Sequence, residues 1–210
     1  ALLEQNMEHM ELAHLYQEMG RMAFRSGDNQ SAVLWAERAL ALAERLSMPS
    51  GETAPTGNED RKKEAALAVA HAYNTLGVAL ARLGRPDEAA ARIERSVAVA
   101  QAQGLLQAAC RGYANLGVLY STLDPGRAIE ICSNGLQVAN KIGDLGFQSR
   151  LYANLAVAYC ALTNRCDEQG IGAAENAIKL DRELGQVDHL AVPLIVLGQI
   201  YQCHGEPRLA

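Results

Sequence analysis

The sequence predicts an all-α protein, an α-solenoid in which antiparallel helix pairs stack along the chain. A Leu-Gly dipeptide or a close variant recurs five times, at Met19-Gly20, Leu76-Gly77, Leu116-Gly117, Leu155-Ala156 and Leu197-Gly198. A glycine suited to ending a helix recurs alongside it, at Gly104, Gly143 and Gly185. Because both landmarks repeat at about forty residues, one helical unit is used several times.

The repeat defines five units and one insertion. The units span approximately residues 4–46, 61–103, 105–142, 144–184 and 186–210, and the last of them is incomplete. Residues 47–60, which contain two prolines and two glycines, form a polar loop between the first two units. We expect 1–210 to be a single domain with nine complete helices and the start of a tenth. Since the fifth unit stops early in its second helix, we expect a fragment of a longer protein.

Each helix pair has its own start and stop signals. The first helix of the second unit is predicted over about 61–83, where apolar residues recur at spacings of three and four, and it ends at Gly84. Pro86 then opens the second helix, since proline fits the first helical position. Asp28 and Asp124 open helices in the first and third units, because the free N–H groups at a helix start favour negative charge.

Small residues recur where the paired helices should cross. In the first helices, glycine or alanine occupies one equivalent position in every unit: Gly20, Gly77, Gly117, Ala156 and Gly198. Glycine inside a helix costs about 1 kcal/mol relative to alanine. Its recurrence therefore predicts close contact between the helices of a pair.

Composition and charge exclude several classes of function. The chain has a net charge of −5, whereas a dedicated nucleic-acid-binding protein needs a clustered basic face. It contains no apolar run of about 18 residues, so it has no membrane span. The five cysteines are scattered without a Cys-x-x-Cys pair, as expected for buried residues in a reducing cytoplasm. We therefore expect a cytoplasmic protein without nucleic-acid or membrane partners.

Catalytic and metal-binding patterns are also missing from the sequence. His9 and His14 lie five residues apart, about 140° around a helix axis, so they cannot share one metal ion as a pair four apart can. Gly170 and Gly172 lack the third glycine and the preceding strand of a dinucleotide-binding loop. We predict that the protein is not an enzyme and that it binds no metal or cofactor.

The repeat resembles the tetratricopeptide repeat family, in which an aromatic residue follows Leu-Gly by three positions. Tyr120, Tyr159 and Tyr201 fulfil this pattern. The long period makes the chain similar to the form of this repeat in kinesin light chains, polarity adaptors and bacterial signalling regulators. The resemblance covers essentially the whole chain, and it implies a right-handed superhelix with a concave groove.

The resemblance also implies that one stripe of the first helices faces this groove. The peptide-binding residues that we expect there are His71, Asn74, Arg111, Asn115, Arg150, Asn154 and Val157. Asparagine amides can both donate to and accept from the backbone of an extended peptide, which is the role expected of Asn115 and Asn154. Arg111 and Arg150, one turn earlier, can fork onto carboxylates, so we expect an acidic ligand.

The stripe becomes apolar toward the C-terminus, at Val192, Ile195 and Val196. Such an edge fits an apolar anchor of a ligand, an amphipathic partner helix, missing helices of the parent protein or a second copy of the chain. We expect a non-catalytic scaffold that binds a protein or peptide within a multidomain cytoplasmic signalling protein. The alternatives are a self-association module that forms a homodimer, and a sensor of a small ligand or signal peptide.

Overall fold

The computed structural model of the chain describes residues 10–47, 58–162, 168–206 and 208–209. The chain divides into two compact units, Ala1–Gly112 and Tyr113–Ala210, which we call the N-terminal and the C-terminal unit. Most of the predicted loop at 47–60 lies outside the described residues, as do Cys166 and the predicted start of a tenth helix at Ala210.

The N-terminal unit is built from stacked helix pairs. Its helices are α1 (Met10–Arg25), α2 (Asn29–Ser47), α3 (Asn58–Arg82), α4 (Pro86–Ala102) and the first part of α5 (Leu106–Leu123). α2 packs against both α1 and α3, α3 packs against α4, and α1 also contacts α3. Short turns join α1 to α2 and α3 to α4, which makes each of these pairs antiparallel.

The C-terminal unit repeats the arrangement. After the end of α5 it contains α6 (Pro125–Ile142), α7 (Leu145–Leu162), α8 (Glu168–Leu184), a 3-10 turn (Val187–Leu190) and α9 (Ala191–Cys203). α7 packs against α6 and α8, and α9 packs against α8 and α7. The described residues thus form nine α-helices and no strand, which confirms the predicted all-α class. None of these helices combines the length and the apolar character that crossing a bilayer requires.

The turns use the residues that the sequence predicted. Gly143 follows α6 in the left-handed conformation, with φ of 68°, and the same conformation occurs at Gly84, Gly104 and Gly185. This conformation ends a helix without steric cost only for glycine. At helix starts, the side chain of Asp124 accepts a hydrogen bond from the N–H of Arg127 at 3.0 Å. Asp28 accepts from the N–H of Ser31 at the same distance of 3.0 Å.

Close helix crossings account for the recurring glycines. A Cβ atom added to Gly77 in α3 would lie 2.9 Å from the carbonyl oxygen of Ala89 in α4. A Cβ on Gly117 in α5 would overlap the Sγ atom of Cys132 in α6. No larger residue fits at these crossings unless the neighbouring helix moves, so the predicted close contact is confirmed.

Three of the cysteines belong to the core. Cys110, Cys132 and Cys160 are buried, and Cys203 is exposed. Burial raises the pKa of the Cys132 thiol to about 12, so this thiol stays protonated at neutral pH. The predicted burial is confirmed for these three residues, which act as small apolar side chains.

Candidate functional site

The C-terminal unit contains a cavity that collects four of the predicted site residues. Its volume is about 310 Å³. Its lining residues come from α5, α7, α8, the 3-10 turn and α9: Ala114, Asn115, Val118, Ser149, Arg150, Ala153, Asn154, Asp181, Asp188, His189 and Val192. We call this cavity the Asp181 pocket. Asn115, Arg150, Asn154 and Val192 were expected at a binding surface, whereas the remaining polar residues were not.

Asn154 contributes to packing as well as to the pocket wall. Its Nδ2 atom in α7 donates a hydrogen bond to the carbonyl oxygen of Ala114 in α5, at 2.8 Å. A Cβ on Gly117 would lie 3.2 Å from the same nitrogen, so the glycine leaves room for the amide. One N–H of Asn154 is therefore used to hold α7 against α5. Its Oδ1 atom has no partner among the residues that the structure describes, and it can accept from a ligand.

Arg150 carries the positive charge of the pocket. Its side chain is exposed, and the guanidinium carbon lies 5.9 Å from the centre of the Phe147 ring. At this distance the cation–π attraction is weak. The guanidinium therefore stays available at the edge of the pocket.

A buried carboxylate, which the sequence analysis missed, lies against the pocket. Asp181 in α8 is only 1% exposed. The hydroxyl of Ser149 in α7 donates a short hydrogen bond to its Oδ1 atom, and Nδ1 of His189 lies 3.7 Å from the same oxygen. The Oδ2 atom of Asp181 is buried and has no hydrogen-bond partner within the described residues. A buried carboxylate oxygen without a donor is unfavourable and calls for a functional explanation.

One local signal could have identified Asp181. The residue lies in the last turn of α8, near Leu184. A carboxylate at the C-terminal end of a helix faces the negative end of the helix dipole, where a cation would be stabilising. The sequence alone did not place Ser149 and His189 beside it, because these contacts join residues from three different elements.

The predicted site residues of the N-terminal unit have a different environment. Nη1 of Arg111 lies 3.4 Å from Nδ1 of His71, which accepts the hydrogen bond when its imidazole is neutral. Burial lowers the pKa of His71 to about 4, and the nearby positive charges of Arg111, Arg21 and His14 lower it further. His71 is therefore neutral at physiological pH and does not add positive charge to this surface.

Two predicted contact residues are buried, and the expectation of ligand contact is wrong for them. Asn74 in α3 is 7% exposed, and Val196 in α9 is 5% exposed. Val196 belongs to the inward stripe of α9 together with Pro193 and Ile200, which are also buried. Helical spacing defines a stripe only to within about one residue, so neighbours of the exposed face can belong to the core.

The remaining predicted apolar residues are accessible to different degrees. Val192 is 48% exposed and Ile195 is 60% exposed on α9. Val157 in α7 is partly buried. Only Val192 of these three lines the Asp181 pocket, where it forms an apolar part of the wall.

Comparisons with known proteins agree with the predicted repeat. The tetratricopeptide repeat family model matches residues 69–102, which cover most of α3 and all of α4. No curated protein matches the sequence at a significant level. The similar proteins are instead found among solved structures, at low sequence identity.

Three solved structures share the fold. Aspartyl phosphate phosphatase F from Bacillus subtilis is 12% identical, with a TM-score of 0.77 over 98% of this chain and 50% of that one. The Rap conjugation gene regulator of plasmid pLS20, in complex with the Phr* peptide, is 16% identical, with a TM-score of 0.70 over 94% of this chain and 49% of that one. Kinesin light chain TPR-like repeats from Podosopora anserina are 17% identical, with a TM-score of 0.65 over 96% and 91% of the two chains.

The fold and its resemblance are therefore those that the sequence predicted. The chain is a helical tetratricopeptide repeat protein that spans about half the length of the phosphatase and of the plasmid regulator. At these identities the likeness shows the fold alone, so the function of this chain must be argued from its own site.

Proposed function

We propose that this tetratricopeptide repeat chain is a non-catalytic module that binds an extended peptide at the Asp181 pocket, within a cytoplasmic signalling regulator. The observation that carries the proposal is the meeting of Asn115, Arg150 and Asn154 at one cavity of about 310 Å³. Ligand pockets in proteins start at about 300 Å³, which suits one or two peptide side chains. The plasmid regulator bound to the Phr* peptide supports the proposal, because a chain of the same fold holds a peptide there.

The polar residues of the pocket support a non-catalytic role. In a nucleophilic triad, the serine hydroxyl gives its proton to a histidine that a carboxylate orients. Here the hydroxyl of Ser149 donates to Asp181 instead, so His189 is not placed as the base that would activate it. A fold shared with a phosphatase does not transfer the activity, because the chemistry resides in the site.

Binding of library peptides tests the proposal. A random heptapeptide library is enriched on the immobilised chain, and the enriched peptides are measured against variants by calorimetry. Arg150→Gln and Asn115→Ala should each weaken binding about tenfold, the effect of one lost hydrogen bond to a charged or amide group. Asn140→Ala is the matched control, since Asn140 is exposed on α6 and does not line the pocket. Equal binding by all variants would place the peptide elsewhere and contradict the proposal.

Asn154 is a poor choice for this test. Its side chain holds α7 to α5 through the bond to Ala114. Alanine at this position would change the pocket wall and remove a ligand contact together. A loss of binding could then not be assigned to either cause, so the test uses Arg150 and Asn115.

A second candidate function is self-association through α9. Val192, Leu194 and Ile195 are 48%, 46% and 60% exposed, and they lie within one turn. A contiguous exposed apolar surface of this kind often covers itself with a second copy. Sedimentation velocity at high micromolar concentration decides the point. A dimer that becomes monomeric in Ile195→Glu supports self-association, whereas a monomeric native chain rules it out.

A further inference from the structure

We propose that the Asp181 pocket binds a protonated nitrogen of the peptide, with the buried carboxylate of Asp181 as its acceptor. The proposal rests on the peptide-binding function above and specifies its ligand. It reverses the sign of the charge that the sequence analysis expected. The protonated nitrogen can come from a lysine or arginine side chain or from the amino terminus of the peptide.

The unpaired oxygen of Asp181 is the first observation. Oδ1 already accepts from Ser149, while Oδ2 has no hydrogen-bond partner in the described part of the chain. The side chain is 1% exposed and nevertheless belongs to the pocket lining. A buried anionic oxygen is strongly unfavourable when no donor reaches it. A ligand that brings a charged N–H to Oδ2 satisfies this acceptor.

The charge of the lining is the second observation. The carboxylates of Asp181 and Asp188 face the single guanidinium of Arg150 across the pocket lining. His189 is the remaining titratable group, and its ring lies 3.7 Å from Asp181. With a neutral imidazole the lining carries one net negative charge. A second carboxylate brought in by an acidic ligand would face Asp181 in a region of low dielectric, where like charges repel strongly.

The placement of the charges along the pocket gives an entry path. Asp188 on the 3-10 turn is exposed, whereas Asp181 is buried. A cation therefore meets an outer carboxylate before it reaches the inner one. Asn115 and Asn154 stand beside this path and can hold the peptide backbone, which leaves the cationic side chain to fill the cavity.

A set of blocked pentapeptides tests the inference. Acetylated, amidated alanine pentapeptides carry lysine, arginine, glutamine or glutamate at the central position. An otherwise identical all-alanine peptide with a free amino terminus tests the second source of a protonated nitrogen. We expect the native chain to bind one of the cationic peptides about 10- to 100-fold more tightly than the glutamine peptide, the range for a charged hydrogen bond. Tighter binding of the free amino terminus than of the side-chain cations would assign the pocket to the peptide's first residue.

Charge-removing variants connect the preference to the pocket. Asp181→Asn keeps the shape of the side chain and should abolish the preference for the cationic peptide. Asp188→Asn, at an exposed position, should reduce it by a few fold without any risk to folding. Glu130→Gln changes the net charge equally on the exposed face of α6, outside the pocket lining, and should leave the preference intact.

The outcomes separate this inference from the proposed function. If library peptides bind but the central cation makes no difference, or if Asp181→Asn and Asp188→Asn both retain the preference, the inference is wrong and peptide binding stands. If no peptide binds, methylguanidinium and methylammonium are titrated while the ring resonances of His189 are followed by NMR. Shifts in the native chain that disappear in Asp181→Asn support the cation site and count against peptide binding. Absence of both effects overturns both proposals.

Discussion

The N-terminal and C-terminal units use the same helix pairs to build surfaces of opposite chemistry. In the N-terminal unit, the predicted site contains His71, which burial and nearby cations such as Arg111 and Arg21 keep neutral. In the C-terminal unit, the corresponding surface contains the buried carboxylate of Asp181. The repeat thus determines where a side chain starts on the backbone. The chemistry of each surface depends on neighbours from other helices.

The largest expected effect concerns His71 and acid. The pKa of His71 is lowered to about 4 in the folded chain, while an unfolded histidine titrates near 6.5. The unfolded state therefore binds the proton first, and stability is lost as the pH falls from about 6.5 toward 4. At pH 4.5 the loss from this group is about 2 kcal/mol. Urea titrations at pH 7 and pH 4.5 should show that much less acid destabilisation in His71→Gln than in the native chain.

Arg111→Gln provides the control for this experiment. It removes one of the positive charges that lower the pKa of His71 but leaves the burial unchanged. We expect acid destabilisation between that of the native chain and that of His71→Gln. Identical pH dependence in all three chains would mean that His71 does not distinguish the N-terminal unit.

The next effect compares glycines at one position of the repeat. A Cβ on Gly77 would lie 2.9 Å from the carbonyl oxygen of Ala89, whereas on Gly20 it would lie 3.4 Å from that of Ala32. Gly77→Ala should destabilise the chain by about 1–2 kcal/mol, because overpacking outweighs the gain in helix propensity. Gly20→Ala should be neutral or slightly stabilising. Denaturant titration measures both, and equal losses would show that the two crossings are equally tight.

The smallest effect concerns the buried acid of the C-terminal unit. Ser149→Ala removes the hydroxyl that donates to Oδ1 of Asp181, so the free energy of unfolding should fall by about 1 kcal/mol. Ser133→Ala is the matched control, since the Ser133 hydroxyl only bonds to the carbonyl oxygen of Ile129 one turn earlier and should be dispensable. A loss as large in the control would remove the special role of Ser149.

Local features of this fold could be predicted from the sequence, and the site only in part. Gly143 and Asp124 act within one turn of a helix, so their roles follow from nearby residues alone. Asn115, Arg150 and Asn154 were found because they repeat in one register. Ser149 and Asp181 lie 32 residues apart in the chain, and no periodicity connects them.

The errors have the same origin. Asn74 and Val196 are on helices whose predicted stripe was right in outline, but both are buried. Which edge of a stripe meets the neighbouring helix depends on the crossing geometry, which a single sequence does not contain. The same limit explains why Asp181 was read only as part of a helix end.

The unpaired oxygen of Asp181 also connects folding to ligand concentration. Burial of an acceptor without a donor costs about 1–3 kcal/mol, and the folded chain carries this cost for as long as the pocket is empty. Any molecule that binds only the folded chain stabilises it by mass action, by about 2.7 kcal/mol at a concentration 100 times its Kd. The melting temperature of the chain is therefore itself a detector, and ligands of the pocket can be found by heating before their identity is known.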